Sequence, residues 1–146
     1  MTREKQSKPK QRKNFLLSDS TMGLLARMDN ASGYVDRLVQ ARQQRAMQSL
    51  LHLQGLGWTG PEILACCDAL NGAMSFCAAP RWHGASLFDG PEYASKWGVT
   101  PERWAEIARQ VSESESVAYA IHEVVSEFWC GNTVIDAALR KGADRE

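Results

Sequence analysis

The stretch Lys13-Asn14-Phe15-Leu16-Leu17-Ser18-Asp19 constrains the fold more than any other. Residues 12–17 read as a short β-strand, and Ser18-Asp19 read as the start of a helix. A strand of this length has unpaired backbone groups along both edges and too little area to bury, so it is not stable alone. No other strand is written in the chain, and the residues beyond Ser18 have helical patterning. The economical partner is the same segment of a second copy, which makes a two-stranded ribbon across a homodimer.

The charge distribution bears on what such a ribbon meets. The formal net charge is zero over 146 residues, but the two signs are separated along the chain. Residues 1–45 hold ten Lys/Arg against four acids, and the remaining 101 residues hold seven against thirteen. One end therefore suits a polyanion and the other does not. A length of 146 residues allows one ordinary domain or two small ones, and 44% hydrophobic residues suffice for a core. No apolar run approaches a membrane span, and the charged N-terminus has no signal-peptide core, so the expected location is cytoplasmic. Cys66, Cys67, Cys77 and Cys130 lack the paired spacing of a zinc site or of a secreted disulfide framework.

Along the chain, residues 1–11 are polar and basic and are expected to be disordered alone. Ser18 is the expected N-cap of a short helix to about Met28, with Leu24, Leu25 and Met28 on its apolar face. Asp29-Asn30 breaks it, and Asn30 or Ser32 caps a second helix over residues 33–54. There Val35, Leu38, Val39, Arg42, Ala46, Leu50 and Leu53 follow a 3.6-residue period. Gly55 and Gly57 end it. Thr59-Gly60-Pro61-Glu62 is a capping box opening a helix to about Leu70. Residues 73–91 read as a helical turn and a loop, and a short helix comes next at 92–97. Thr100-Pro101-Glu102 starts a helix to about Val111, residues 112–116 form a turn, and helices are expected over 117–129 and 133–141. The expected fold class is thus mainly α: a ribbon strand and two helices in residues 12–54, then an all-α C-terminal region of about four helices in residues 58–141.

Strand, short helix, tight turn and long helix is the order of the ribbon-helix-helix fold. Residues 12–54 resemble the Arc/MetJ-type family of DNA-binding repressors and antitoxins. The matching features are the strand ending in Leu17-Ser18-Asp19, the pair Leu24-Leu25, and Asn-Ala-Ser-Gly-Tyr-Val-Asp-Arg-Leu-Val at 30–39. Gly57-Trp58-Thr59 with Asp68-Ala69-Leu70-Asn71-Gly72 also looks like the second half of a class of uncharacterised bacterial ribbon-helix-helix proteins. The resemblance implies a homodimer on double-stranded DNA, with the ribbon in the major groove and higher-order assembly on DNA as an extension.

Strand alternation sorts the residues, because side chains two apart share a face. Phe15 and Leu17 are expected to turn inward, forming a dimer core with Leu25, Val35, Leu38 and Val39. Arg12, Asn14 and Leu16 then face the bases. An Arg suits guanine, an Asn suits adenine, and an aliphatic group packs on a thymine methyl. Leu16 departs from the family, where a polar residue is more usual. A one-residue register change would expose Phe15 instead and remove two large apolar groups from the core. The N-terminus of the long helix is the expected phosphate anchor through Ala31, Ser32 and Gly33, with Ser32 doubling as a cap. Lys5, Lys8, Lys10 and Lys13 add phosphate contacts that position without reading sequence.

Other chemistry is thin. His52, His83 and His122 are far apart in sequence, and His122 with Cys130 makes only two ligands, so no metal or cofactor is expected. His122-Glu123 with Glu127 reads as a solvated helix face more readily than as an acid–base pair. No nucleophile motif, phosphate loop or hydrolase signature appears, so the chain is not read as an enzyme. Trp58, Trp82, Trp97, Trp104 and Trp129 lie outside the ribbon segment and read first as core, second as an aromatic pocket or interface. The expected function is a homodimeric transcriptional regulator, a repressor, whose C-terminal region supports the dimer, joins dimers, or recognises a protein partner. The alternatives are an antitoxin of a toxin–antitoxin pair and an accessory protein of plasmid transfer or partition.

Overall fold

The computed structural model describes residues 14–70 and 91–143. Seven helices lie in them: α1 Asp19–Ala26, α2 Ala31–Gly55, α3 Gly60–Ala69, α4 Pro91–Lys96, α5 Pro101–Glu113, α6 Glu115–Trp129 and α7 Thr133–Ala143. The mainly helical expectation holds, with five helices rather than about four after Gly57. No strand occurs among the described residues; Asn14–Ser18 are in no regular secondary structure. The expected turn and loop at 73–91, apart from residue 91, and the expected disorder at 1–11 lie outside the described residues. The chain divides into two compact units, Met1–Leu38 and Val39–Glu146, and the division falls inside α2.

Local signals explain the helix ends. Ser18 has extended backbone, and its Oγ accepts the Thr21 N–H at 3.2 Å, which caps α1. Asn30, not Ser32, caps α2: its Oδ1 accepts the Gly33 N–H at 3.1 Å. The helix consequently starts at Ala31, two residues earlier than the sequence suggests. The Thr59–Glu62 capping box closes in both directions, with Thr59 N–H donating to Glu62 Oε1 at 2.9 Å and Glu62 N–H to Thr59 Oγ1 at 3.3 Å. Ser114 serves two helices: its N–H donates to the Gln110 carbonyl, and its Oγ accepts the Val117 N–H. The expected five-residue turn at 112–116 therefore shrinks to that single residue. Asn132 Oδ1 accepts the amides of Val134 and Ile135 and starts α7.

In the second unit α3 is central. Residues 61–67 are buried without a break, which is why Ile63-Leu64-Ala65-Cys66-Cys67 shows no amphipathic alternation. Helices α4, α6 and α7 pack on α3, α5 packs on α4 and α6, and α6 packs on α7. Trp58, Ile63, Leu64, Leu70, Ile107, Ile121, Val124, Val125, Ile135 and Leu139 form the core, joined by Ala46, Leu50 and Leu53 from the later part of α2. Contact between α3 and α7 is close enough that a Cβ on Gly60 would sit 2.1 Å from the Leu139 carbonyl oxygen. Glu62 is both a capping residue and half of a shielded ion pair. Its carboxylate accepts Arg103 Nε at 2.7 Å and Nη2 at 3.2 Å, a two-point contact that compensates for burial of the charge.

Gly60→Ala is expected to lower stability by about 1–3 kcal/mol, because backbone has to move to admit the methyl. Glu62→Ala removes a cap and strands a part-buried guanidinium, and about 3 kcal/mol is expected there. Urea unfolding of both variants checks these values, and a change under about 0.5 kcal/mol in either contradicts the packing described.

Candidate nucleic-acid interface

The first unit has a different character. None of its described residues, 14–38, is buried. Its apolar side chains are nevertheless numerous and large: Phe15, Leu16, Leu17, Met22, Leu24, Tyr34, Val35 and Leu38 are all exposed. Leu25 and Met28 are half-buried. An eight-residue helix such as α1 is too short to hold itself by backbone hydrogen bonds. Its apolar side chains need a surface to cover them.

The expected site residues divide between described and undescribed parts of the chain. Arg12, Lys13, Lys5, Lys8 and Lys10 lie outside the described residues. Asn14 is exposed, and Leu16 is fully exposed at 104%. Phe15 and Leu17, expected to turn inward, are 72% and 45% exposed, so they are not covered within the single chain. Val35, Leu38 and Val39 are likewise uncovered at the start of α2, although the same helical stripe is buried at Ala46, Leu50 and Leu53. Ala31, Ser32 and Gly33 form the first turn of α2. There the Gly33 amide is already engaged by Asn30, and a Cβ at residue 33 would lie 2.4 Å from Asn30 Nδ2. Gly33 thus makes room for the capping side chain, and the amides beyond that cap are those of Ala31 and Ser32.

The charge map also sharpens. Residues 1–13 carry six Lys/Arg against Glu4 alone, whereas residues 14–38 carry Arg27 and Arg37 against Asp19, Asp29 and Asp36. Arg42, which the sequence places in the basic half, is occupied. Its Nη1 lies 2.9 Å from Glu123 Oε2 and its Nε 3.6 Å from Glu127 Oε1. The Glu123 contact has the distance of an ion pair but not the alignment of a hydrogen bond. Beside it Asn132 Nδ2 donates to Gln43 Oε1 at 2.6 Å. These pairings fasten the later part of α2 to α6 and to the turn before α7. Only spatial proximity reveals them, since the partners are between 81 and 89 residues apart in sequence.

The remaining chemical candidates have structural employment. Glu123 and Glu127 face Arg42, which accounts for the His122-Glu123…Glu127 pattern. Burial lowers the His122 pKa from its ordinary 6.5; Glu123 opposes the shift and Arg42 adds to it. Burial raises the thiols of Cys66 and Cys67, so neither is a thiolate nucleophile near neutral pH. Cys130 is exposed at the end of α6, while His122 is half-buried. Among the described residues no three His, Cys, Asp or Glu side chains gather to hold a metal. Three indoles each have a partner for the ring N–H: Trp58 donates to Gln110 Oε1 at 2.8 Å, Trp97 to Asp68 Oδ2 at 2.7 Å, and Trp129 to the Cys67 carbonyl at 2.9 Å. Trp58 and Trp104 are buried in the core, Trp97 packs partly buried against it, and Trp129 is exposed; Trp82, His83 and Cys77 lie outside the described residues. No described helix is long and apolar enough to cross a membrane.

Comparison with known protein families, with curated proteins and with solved structures finds no match to this chain.

His122 gives a pH prediction. A histidine whose folded pKa is depressed contributes stability above its unfolded pKa, and loses it as pH falls through the folded value. Stability is therefore expected to decline below about pH 6.5 as the unfolded chain takes up a proton that the folded chain refuses. His122→Gln should flatten that part of the profile, measured as the thermal midpoint between about pH 7.5 and 5.5 relative to the parent. Parallel profiles for the two proteins contradict the assignment.

Proposed function

We propose that the protein is a homodimeric, sequence-specific DNA-binding regulator of the ribbon-helix-helix kind, acting as a repressor by occupying a pseudo-palindromic operator. The observation that carries this reading is a unit with many large apolar side chains and no buried residue among those described. A second copy supplies the missing cover: Phe15 and Leu17 pair across the ribbon, while Leu25, Val35, Leu38 and Val39 pack between protomers. The opposite face of the ribbon, with Arg12, Asn14 and Leu16, then enters the major groove. Charge supports the same assignment, because six of the chain's Lys/Arg fall in the first thirteen residues, beside the ribbon. Ala31 and Ser32 offer helix amides to a phosphate on the flank.

The second unit has its own core and capped helices, unlike a partner-binding segment that folds only on contact. This favours a regulator over an antitoxin whose C-terminal part wraps a toxin. Its role in the assembly is to support the dimer, to join neighbouring dimers, or to present a surface to another protein. An accessory role in plasmid transfer or partition uses the same ribbon, and genomic footprinting separates them: one promoter operator for a repressor, clustered repeats for the other.

Three sets of substitutions test the proposal. Leu38→Asp places a charge in the intended interface, so it should convert a dimer to a monomer by sedimentation equilibrium and abolish operator binding. Arg12→Ala and Asn14→Ala should retain the dimer, lose sequence preference, and weaken operator binding by about 1–3 kcal/mol per contact. Replacing Lys5, Lys8 and Lys10 together by Ala should leave preference intact and reduce the log–log salt slope by about 2.7 for each protomer. A parent protein that is monomeric at all concentrations, or operator binding unchanged by both base-facing substitutions, overturns the reading.

A further inference from the structure

We propose that the junction of α2 with α6 is an acid-released clasp: Arg42 holds α2 against Glu123 and Glu127, and a proton taken up by His122 loosens that hold. The clasp lies within the second unit and does not depend on the ribbon reading. Arg42 sits one turn before Ala46, the first of the buried residues Ala46, Leu50 and Leu53 by which α2 joins the core. Its grip is imperfect. Glu123 Oε2 is buried and receives no aligned hydrogen bond, although Arg42 Nη1 lies 2.9 Å from it, and Arg42 Nε is 3.6 Å from Glu127 Oε1. The other shielded ion pair of this unit is better made, since Arg103 gives Glu62 two aligned bonds at 2.7 and 3.2 Å. A buried carboxylate oxygen without an aligned donor has lost water and regained only part of what water gave it. Of the two pairs, the one at Arg42 therefore separates more readily.

His122 supplies the proton-sensitive group. It precedes Glu123 on α6 and is half-buried. Among the described residues, the charged groups that bear on its ring are Arg42 from α2 and Glu123 from its own helix. Burial disfavours the imidazolium most, Arg42 adds to that, and Glu123 opposes both. The neighbouring contact between Gln43 and Asn132 is neutral. A proton on His122 thus sets a second positive charge beside the Arg42 guanidinium in a shielded place. It also offers Glu123 another cation. Both changes weaken the hold on α2, and movement of α2 away from α6 returns the two cations to water. The charged imidazole is favoured in the released form, so release grows as pH falls through the range in which histidine takes up its proton, below about 6.5.

The test is amide hydrogen exchange of the full chain at about pH 7.5 and 5.5, with each rate divided by its intrinsic value. At both pH values residues 43–50 of α2 should be less protected than residues 63–67 of α3. Their exchange should also be nearly insensitive to low urea, which marks an opening smaller than unfolding. On acidification the protection of residues 43–50 should fall severalfold. His122→Gln should abolish that fall, whereas His52→Gln, at the exposed end of α2, should behave as the parent does. Arg42→Gln should show at the higher pH the reduced protection that the parent reaches at the lower, and should lose little more on acidification. Equal protection and equal urea response in the two segments overturn the clasp, because α2 then comes away only when the whole unit unfolds. An acid response that survives in His122→Gln, or parental protection in Arg42→Gln at the higher pH, overturns it as well.

Discussion

Uncovered apolar surface is the constraint on which the rest depends. Between Phe15 and Val39 the chain presents Phe15, Leu17, Met22, Leu24, Val35, Leu38 and Val39 to solvent. Contiguous exposure on that scale marks an interaction surface, because a monomer gains nothing by leaving it wet. The local geometry is otherwise well made. Ser18 and Asn30 cap their helices with side-chain oxygens, and Asp19 sits favourably at a helix N-terminus. The segment thus specifies its secondary structure locally, while none of its described residues, 14–38, is buried.

Helix α2 shows the same point within one element. Its apolar stripe runs from Val35 through Leu38 and Arg42 to Ala46, Leu50 and Leu53. The later residues are buried in the core of the second unit and the earlier ones are exposed. Arg42 falls between them and is held by Glu123 and Glu127. The later part of the helix therefore stands on a folded base, while the apolar side chains of its first turns are exposed. The second unit has a buried core: α3 packs against α4, α6 and α7, and the charge on Glu62 is matched by Arg103.

Much of the helical framework was legible in the residue order because its determinants are local. The Thr59-Gly60-Pro61-Glu62 box, Thr100-Pro101 and the Asn132 start of α7 each use contacts within four residues, and each opens a helix where expected. Errors arose where two local signals competed. Asn30 and Ser32 are both good caps, and Asn30 prevails because Gly33 leaves space for its side chain. Ser112 to Ser116 reads as a turn by composition, yet α5 continues to Glu113, since Ser114 alone can end one helix and begin the next. Interactions between distant positions were not legible. Glu62–Arg103 is hidden behind a capping role that already explains the glutamate, and Arg42 looked like part of a basic footprint until Glu123 and Glu127 were seen beside it. At the candidate interface the residue order placed α1, the turn and α2, while the strand expected before α1 is not formed at residues 14–18.

Concentration-dependent hydrogen exchange of residues 15–38 tests the central claim most directly, since it asks whether the uncovered segment acquires cover when copies meet. Strong amide protection is expected across Phe15–Leu17 and α1 at concentrations where the protein is dimeric, lost on dilution while α3 and α6 stay protected. Rapid exchange of residues 15–38 at every concentration, or protection that dilution leaves unchanged in a monomer, contradicts it.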